Sequence, residues 1–143
     1  LAALVNCILY VLITWGVSLL AVQKYQPDQA FRDFLALEMQ AMFVIELIFL
    51  AVGLLLGCSM KRYKLAGSSA IGIILVAYFL SVFSGLQEKL NNLKWLTPFK
   101  YFDSADLFQH GKLDGTSLLI SAGIIILCVV AAYYSYNKRD LYI

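Results

Sequence analysis

Four long apolar segments alternate with polar connections along the chain. The apolar segments cover residues 1–22, 37–60, 65–86 and 117–136. Each has about the 20 residues that an α-helix needs to cross the roughly 30 Å hydrocarbon core of a bilayer. Because unpaired backbone groups are very costly in lipid, we expect all four segments to be helices despite their many β-branched and aromatic residues. The pattern predicts a single all-α, polytopic membrane domain over residues 1–143, with four transmembrane helices.

The three connections differ in length and charge. The first, residues 23–34, has mixed charge, and the second is the basic tetrapeptide of residues 61–64. The third, residues 87–116, is much the longest. With four crossings, the basic tetrapeptide and the basic tail at 137–140 lie on one side, which the positive-inside rule assigns to the cytoplasm. Both termini are then expected in the cytoplasm, although the outer connections together hold more basic residues at lower density.

The long connection is predicted to contain two short helices at the outer face of the membrane. Leu86, Leu90 and Leu93 recur at helical spacing among polar residues, which indicates an amphipathic continuation of the third span. Farther along, Asp103 or Ser104 is a suitable N-cap for a short helix that ends near residue 111. We expect these helices to lie against or dip into the membrane.

Between the two predicted outer helices lies an aromatic group of the kind that collects at the bilayer interface. One interpretation is an extracellular gate, and the other is simple anchoring, which the sequence alone favours. The residues concerned are Trp95, Pro98, Phe99, Tyr101, Phe102 and Asp103.

Glu46 is the exceptional residue within the spans, because it lies near the middle of the second one, where an acidic side chain is costly. At about 100° per residue it shares a helix face with Gly53 and Gly57, a GxxxG pair that permits close approach of another helix. We therefore expect Glu46 to point into protein. It either lines a transport path or ties helices together through hydrogen bonds, and the second role is the commoner one.

The third span also carries small and polar residues. Ser68 lies in a run of small residues at its beginning, and Ser81 lies farther along. Helix packing is the first interpretation of these positions, and a polar lining of a path is the second.

Composition agrees with the membrane assignment and excludes several functions. The chain is 62% hydrophobic and 14% charged, with a net charge of +2, which leaves too few polar residues for a soluble surface and gives no sign of nucleic-acid binding. Its three cysteines lie in apolar runs, so we expect neither disulfides nor a zinc site. No catalytic or nucleotide-binding motif occurs, and His110 has no evident partner. We expect no enzyme activity, no cofactor and no metal.

One stretch resembles a known family. Residues 93–103, Leu-Lys-Trp-Leu-Thr-Pro-Phe-Lys-Tyr-Phe-Asp, are followed by a loop, a last span and the tail Tyr-Asn-Lys-Arg-Asp-Leu at 136–141. This order resembles the C-terminal half of bacterial ATP-binding-cassette permeases of the type-2 exporter class. In that family a similar segment precedes the last span on the outer side, and a cytoplasmic Arg-Asp-Leu tail ends the chain. The similarity covers roughly residues 37–143.

The resemblance implies a dimeric permease, homo- or heteromeric, whose two chains form the substrate path and which is driven by a separate ATPase subunit. Lys61, Arg62 and Lys64 are then candidate cytoplasmic contacts, although topology signals alone explain them equally well. Such permeases usually have six spans. Because this chain supplies four and begins without Met, we expect a truncated or processed N-terminus.

Two other functions remain open. The chain can be a membrane scaffold that transports nothing and binds other helices through Glu46 and its small-residue faces. A small carrier driven by an ion gradient ranks last, because it would need more than one ionisable group within the membrane and usually an internal repeat.

Overall fold

The computed structural model of the chain describes residues 2–25, 28–60, 63–86, 98–102, 104, 107 and 111–138. Its helices are α1 (Ala2–Gln23), α2 (Gln29–Ser59), α3 (Tyr63–Leu86), α4 (Pro98–Tyr101) and α5 (Gly115–Asn137). The described residues contain no strand. Helices α1, α2, α3 and α5 are long and apolar enough to cross a membrane. The predicted all-α, polytopic fold class is therefore confirmed.

Helix α2 begins ahead of the predicted span, at Gln29 rather than at residue 37. Its 31 residues correspond to about 46 Å of helix, which exceeds the roughly 30 Å hydrocarbon core. Its first turns carry Arg32 and Asp33, which are exposed, and charged residues lower the local hydropathy. Hydropathy therefore marked only the more apolar part of α2.

Helix α2 is the centre of the bundle. Helices α1, α3 and α5 each pack against it and make no comparable contact with one another, while α4 touches α2 and α3. The Ser59 and Ser135 hydroxyls lie 3.3 Å apart at one end of α2 and α5, and Leu118 packs beside Ala41 at the other. Helices α2 and α5 therefore run in the same direction, whereas the short connections make α1 and α3 antiparallel to α2.

The arrangement is open rather than a closed bundle. Among the described helices, the peripheral spans α1, α3 and α5 contact α2 far more than they contact one another. Large apolar side chains cover most of the outward faces of the three peripheral helices. These faces suit contact with lipid or with other helices.

Small residues form the contacts that hold the spans together. Such residues let helix backbones approach closely in lipid, where apolar side chains gain little by leaving their surroundings. The buried positions of α5 recur at helical spacing and meet the buried face of α2. They are Ser117, Ser121, Cys128 and Ala132 on α5 and Ala41, Ile48 and Ala51 on α2.

Candidate functional site

The short helix α4 packs against α2 and α3. The ring of Phe99 lies 5.2 Å from the ring of Phe49 on α2 and 6.2 Å from that of Tyr78 on α3, which it meets edge-on at 87°. Phe49 is about 15 Å along the helix axis from Ser59, roughly half the hydrocarbon thickness. Phe99 therefore lies level with the middle of the predicted second span, and the long connection folds back against the spans at this point. We name Phe49, Tyr78 and Phe99 the aromatic triad.

The residues after α4 anchor the connection on the outer half of α2. Ala41, Phe102 and Leu107 are buried against one another, with 3%, 5% and 3% of their surfaces exposed. We call these three residues the outer cluster. Further apolar side chains from α2, α4, α5 and the segment just before α5 pack around it. They are Phe34, Val44, Ile45, Tyr101, Leu113 and Leu118.

A polar contact adds to the outer cluster. The hydroxyl of Ser104 donates a 2.7 Å hydrogen bond to Oε1 of Glu38. The other carboxyl oxygen, Oε2, is buried and has no hydrogen-bond partner among the described residues. Glu38 therefore fixes the outer connection to α2, while half of its hydrogen-bonding capacity is unused.

The outer connection ends in well-defined turns. Gly111 adopts φ 61°, and its N–H donates to the carbonyl of Leu107, which is the left-handed ending typical of a helix C-terminus. Ser104 and Leu107 have helical backbone, and most other residues of the predicted short helix lie outside the described part of the chain. Asp114 then caps α5 by accepting bonds from the N–H groups of Thr116 and Ser117. The Ser117 hydroxyl, followed by these backbone donors, lowers the pKa of the Asp114 carboxyl.

Glu46 lies half-buried on α2, on the side that faces α1. The Cys7 thiol of α1 is close enough for an electrostatic interaction with the carboxyl. Oε2 of Glu46 is buried without a hydrogen-bond partner in the described part of the chain. Within this chain, then, the acid points toward a neighbouring helix, but no described group satisfies that oxygen.

The two glycines on the Glu46 face do not receive another helix within the described residues. A Cβ built on Gly53 or on Gly57 would meet no atom within 4 Å. The expected close helix approach is therefore absent from this part of the chain. The physical reason is that the most extensive helix contact of α2, with α5, lies on the opposite side, around Ile48 and Ala51, which are almost fully buried.

The remaining predicted positions are distributed differently from expectation. Ser68 is exposed and Ser81 is half-buried, so the structure does not bring them to one polar surface. Pro98 and Tyr101 are half-buried on α4. Five predicted residues lie outside what the structure describes: Lys61, Arg62, Trp95 and Asp103 entirely, and Lys64 in its side chain. The predicted amphipathic continuation after Leu86 also lies outside the described residues.

Two features escaped the sequence analysis. Glu38 was visible as a second acid at the edge of the second span, but nothing in the sequence pointed to Ser104 as its partner. The buried stripe of α5 follows helical spacing from Ser117 to Ala132, a signal that the prevailing hydrophobicity of that span hid. The described residues contain no group of side chains suited to holding a metal, and Cys7, Cys58 and Cys128 are free thiols.

The chain matches no protein-family model, no curated protein and no solved structure.

Proposed function

We propose that this chain is the membrane-spanning permease subunit of an ATP-driven exporter of the ATP-binding-cassette type in a bacterial cell membrane. The observation that carries the proposal is the outer connection. Residues 93–103 resemble the corresponding segment of type-2 exporters, and α4, which lies within that segment, enters the bundle beside α2 and α3. An element that inserts Phe99 at mid-depth is suited to opening and closing the outer end of a path.

The proposal includes an orientation and a set of partners. The end of the bundle where Ser59 meets Ser135 adjoins the basic residues at 61–64 and 138–139 in the sequence, and we place it in the cytoplasm with both termini. The ATPase subunit binds there, with Lys61, Arg62 and Lys64 as candidate contacts. A second permease chain completes the path, and lipid surrounds the rest.

Co-purification tests the proposal directly. The protein, expressed in its native cell and extracted in mild detergent, is expected to bring down an ATPase, and the ATP turnover of the complex should change when the permease is present. Replacing Lys61, Arg62 and Lys64 together with glutamine should weaken the association, whereas replacing Lys24 and Lys112 on the outer side should not. Recovery of the intact protein without any ATPase would contradict the proposal.

A membrane scaffold is the second candidate, and the open face at Gly53 and Gly57 favours it, because that face is free to receive a helix of another protein. The variant Glu46→Gln separates the two candidates. If Glu46 lines a path, the variant loses transport while assembly persists. Equal loss of both would favour the scaffold.

A further inference from the structure

The face of α2 that carries Glu46 forms an open furrow between two neighbouring helices. Helices α1 and α3 both pack on α2 but make no comparable contact with each other. The Cys7 thiol of α1 is close enough to Glu46 for an electrostatic interaction. The ring of Phe49, three residues later, contacts Phe99 of α4, which in turn contacts Tyr78 of α3. Farther along the same face, Gly53 and Gly57 have open space where a Cβ would be. The furrow thus runs from the triad toward the basic end of the bundle.

Glu46 and Phe49 of the aromatic triad are neighbours on the surface of α2. Residues three apart on a helix are neighbours on its surface, with Cβ atoms roughly 5–6 Å apart. Phe49 therefore brings an aromatic ring next to the acid, and Phe99 and Tyr78 extend this aromatic wall. Aromatic rings attract cations through their negative faces, most strongly where water is excluded.

The four apolar segments contain no basic residue that could pair with Glu46. None of the four apolar segments contains lysine, arginine or histidine, and Oε2 of Glu46 is unpaired within the described residues. An acid held in lipid is expensive unless something compensates it. A positive charge that enters the furrow would remove this cost.

We propose that the furrow of Glu46 and the aromatic triad is a binding site for a lipophilic monocation, an organic cation that carries apolar or aromatic groups. The carboxyl supplies the counter-charge, the triad contacts the cation and its rings, and the space beside Gly53 and Gly57 accommodates the apolar groups. The use of this site for export rests on the proposed permease function, but binding itself does not.

Equilibrium binding to the purified chain in detergent tests the site. Radiolabelled tetraphenylphosphonium is the probe, and tetraphenylborate is its control, since it has nearly the same shape and the opposite charge. The wild type should bind the phosphonium and discriminate against the borate. Glu46→Gln should weaken phosphonium binding by about tenfold or more, because it removes the counter-charge from the furrow. Glu46→Asp, which keeps the charge, should recover part of the loss.

The aromatic contribution has its own variant and control. Phe99→Ala should weaken binding roughly 2- to 30-fold, the range expected for a cation–aromatic contact. Phe83→Ala is the matched control, because Phe83 lies on α3 with 57% of its surface exposed and is not a member of the triad; it should leave binding unchanged. Size-exclusion profiles and unfolding temperatures of all variants identify any that have lost the fold.

Three results would overturn the proposal. The first is equal phosphonium binding by wild type and a folded Glu46→Gln variant, and the second is equal binding of phosphonium and borate. The third is binding that arises only in Lys100→Gln, which would mean that Lys100, next to Phe99 in the sequence, already neutralises the acid. The assay needs no ATPase. Phosphonium binding by a chain that brings down no ATPase would therefore support the binding site and contradict the permease function.

Discussion

The two halves of α2 carry similar residues but have different surroundings. In the outer half, Ala41 is 3% exposed and lies in the outer cluster with Phe102 and Leu107. In the half nearer the basic end, Gly53 and Gly57 have no atom near the Cβ position, and Leu54 is 50% exposed. The outer connection covers the side of α2 that carries Ala41, whereas the opposite side of the helix has open space at Gly53 and Gly57.

The outer connection therefore acts as a fifth packing element beside the four long helices. The spans alone give α2 three neighbours that barely touch each other. Where the connection folds back, it fills the space between them with aromatic and aliphatic side chains. On the opposite side of α2, Gly53 and Gly57 have no described atom near the Cβ position.

Removal of the Phe102 side chain should have the largest effect on the free energy of unfolding. Phe102→Ala leaves a cavity in the outer cluster and is expected to lower the free energy of unfolding by about 3 kcal/mol. The measurement is thermal or denaturant unfolding in detergent. Phe79→Ala, at a position with 55% of its surface exposed, should have a much smaller effect. Equal losses from the two variants would mean that the outer half is no better packed than the lipid-facing surface.

The two sides of α2 should respond in opposite ways to added volume. Ala51 is 2% exposed, so Ala51→Leu overpacks a helix contact and should cost about 1–3 kcal/mol of unfolding free energy. Gly53→Ala adds a methyl group into open space and removes a helix-weakening glycine, for a gain of up to about 1 kcal/mol. Unfolding in detergent measures both. A loss of stability or of oligomer in Gly53→Ala would contradict the openness of this face.

The hydrogen bond between Glu38 and Ser104 should contribute less. A double-mutant cycle with Glu38→Ala and Ser104→Ala is expected to give a coupling free energy of about 1 kcal/mol. Glu38→Gln keeps an acceptor and should retain most of it. Cysteine accessibility of the outer connection gives an independent measurement, since loss of the bond should expose it. A coupling of zero would mean that apolar packing alone holds the connection.

Asp114 should have the smallest effect, and one that depends on pH. Hydrogen bonds from Ser117 and Thr116 lower the pKa of its carboxyl in the fold. The stabilisation is therefore present above the ordinary pKa of aspartate, about 3.9, and is lost as the pH falls through the lower folded value. The difference in stability between wild type and Asp114→Asn, followed by unfolding from neutral to acidic pH, should shrink over that window. A difference that does not change with pH would contradict the assigned cap.

The spans could be predicted from the sequence because lipid imposes a simple rule on the backbone. Twenty or so apolar residues without charges must form a helix, and four such segments fixed the fold class. The rule applies only within the lipid, which is why it missed the outer turns of α2 from Gln29. Pro98, where α4 begins, and Gly111, which adopts φ 61°, also marked changes in the local backbone, since proline restricts the backbone and glycine permits positive φ.

The partners of each helix face could not be predicted in the same way. Gly53 and Gly57 allow another helix to approach α2 closely, but they do not determine whether one does. Helix α2 packs instead through contacts of alanine, isoleucine and serine. In the sequence, nothing distinguishes Phe49 from a lipid-facing residue. In the structure, its ring lies 5.2 Å from the ring of Phe99. Contacts between distant parts of the chain depend on how the connection folds back, and hydropathy contains no information about that.

The depth of Phe99 in the bilayer is the most direct test of whether α4 folds back to the middle of the spans. In a chain whose two native tryptophans, Trp15 and Trp95, are replaced by phenylalanine, Phe99→Trp supplies a single fluorophore, and Phe49→Trp supplies the reference. Quenching by lipids brominated at different positions along the acyl chain measures the depth of each. We expect both introduced fluorophores to lie near the bilayer centre, at closely similar depths, and to be shielded from aqueous iodide. Quenching of the Phe99→Trp variant by iodide, with its fluorophore at headgroup depth, would contradict it.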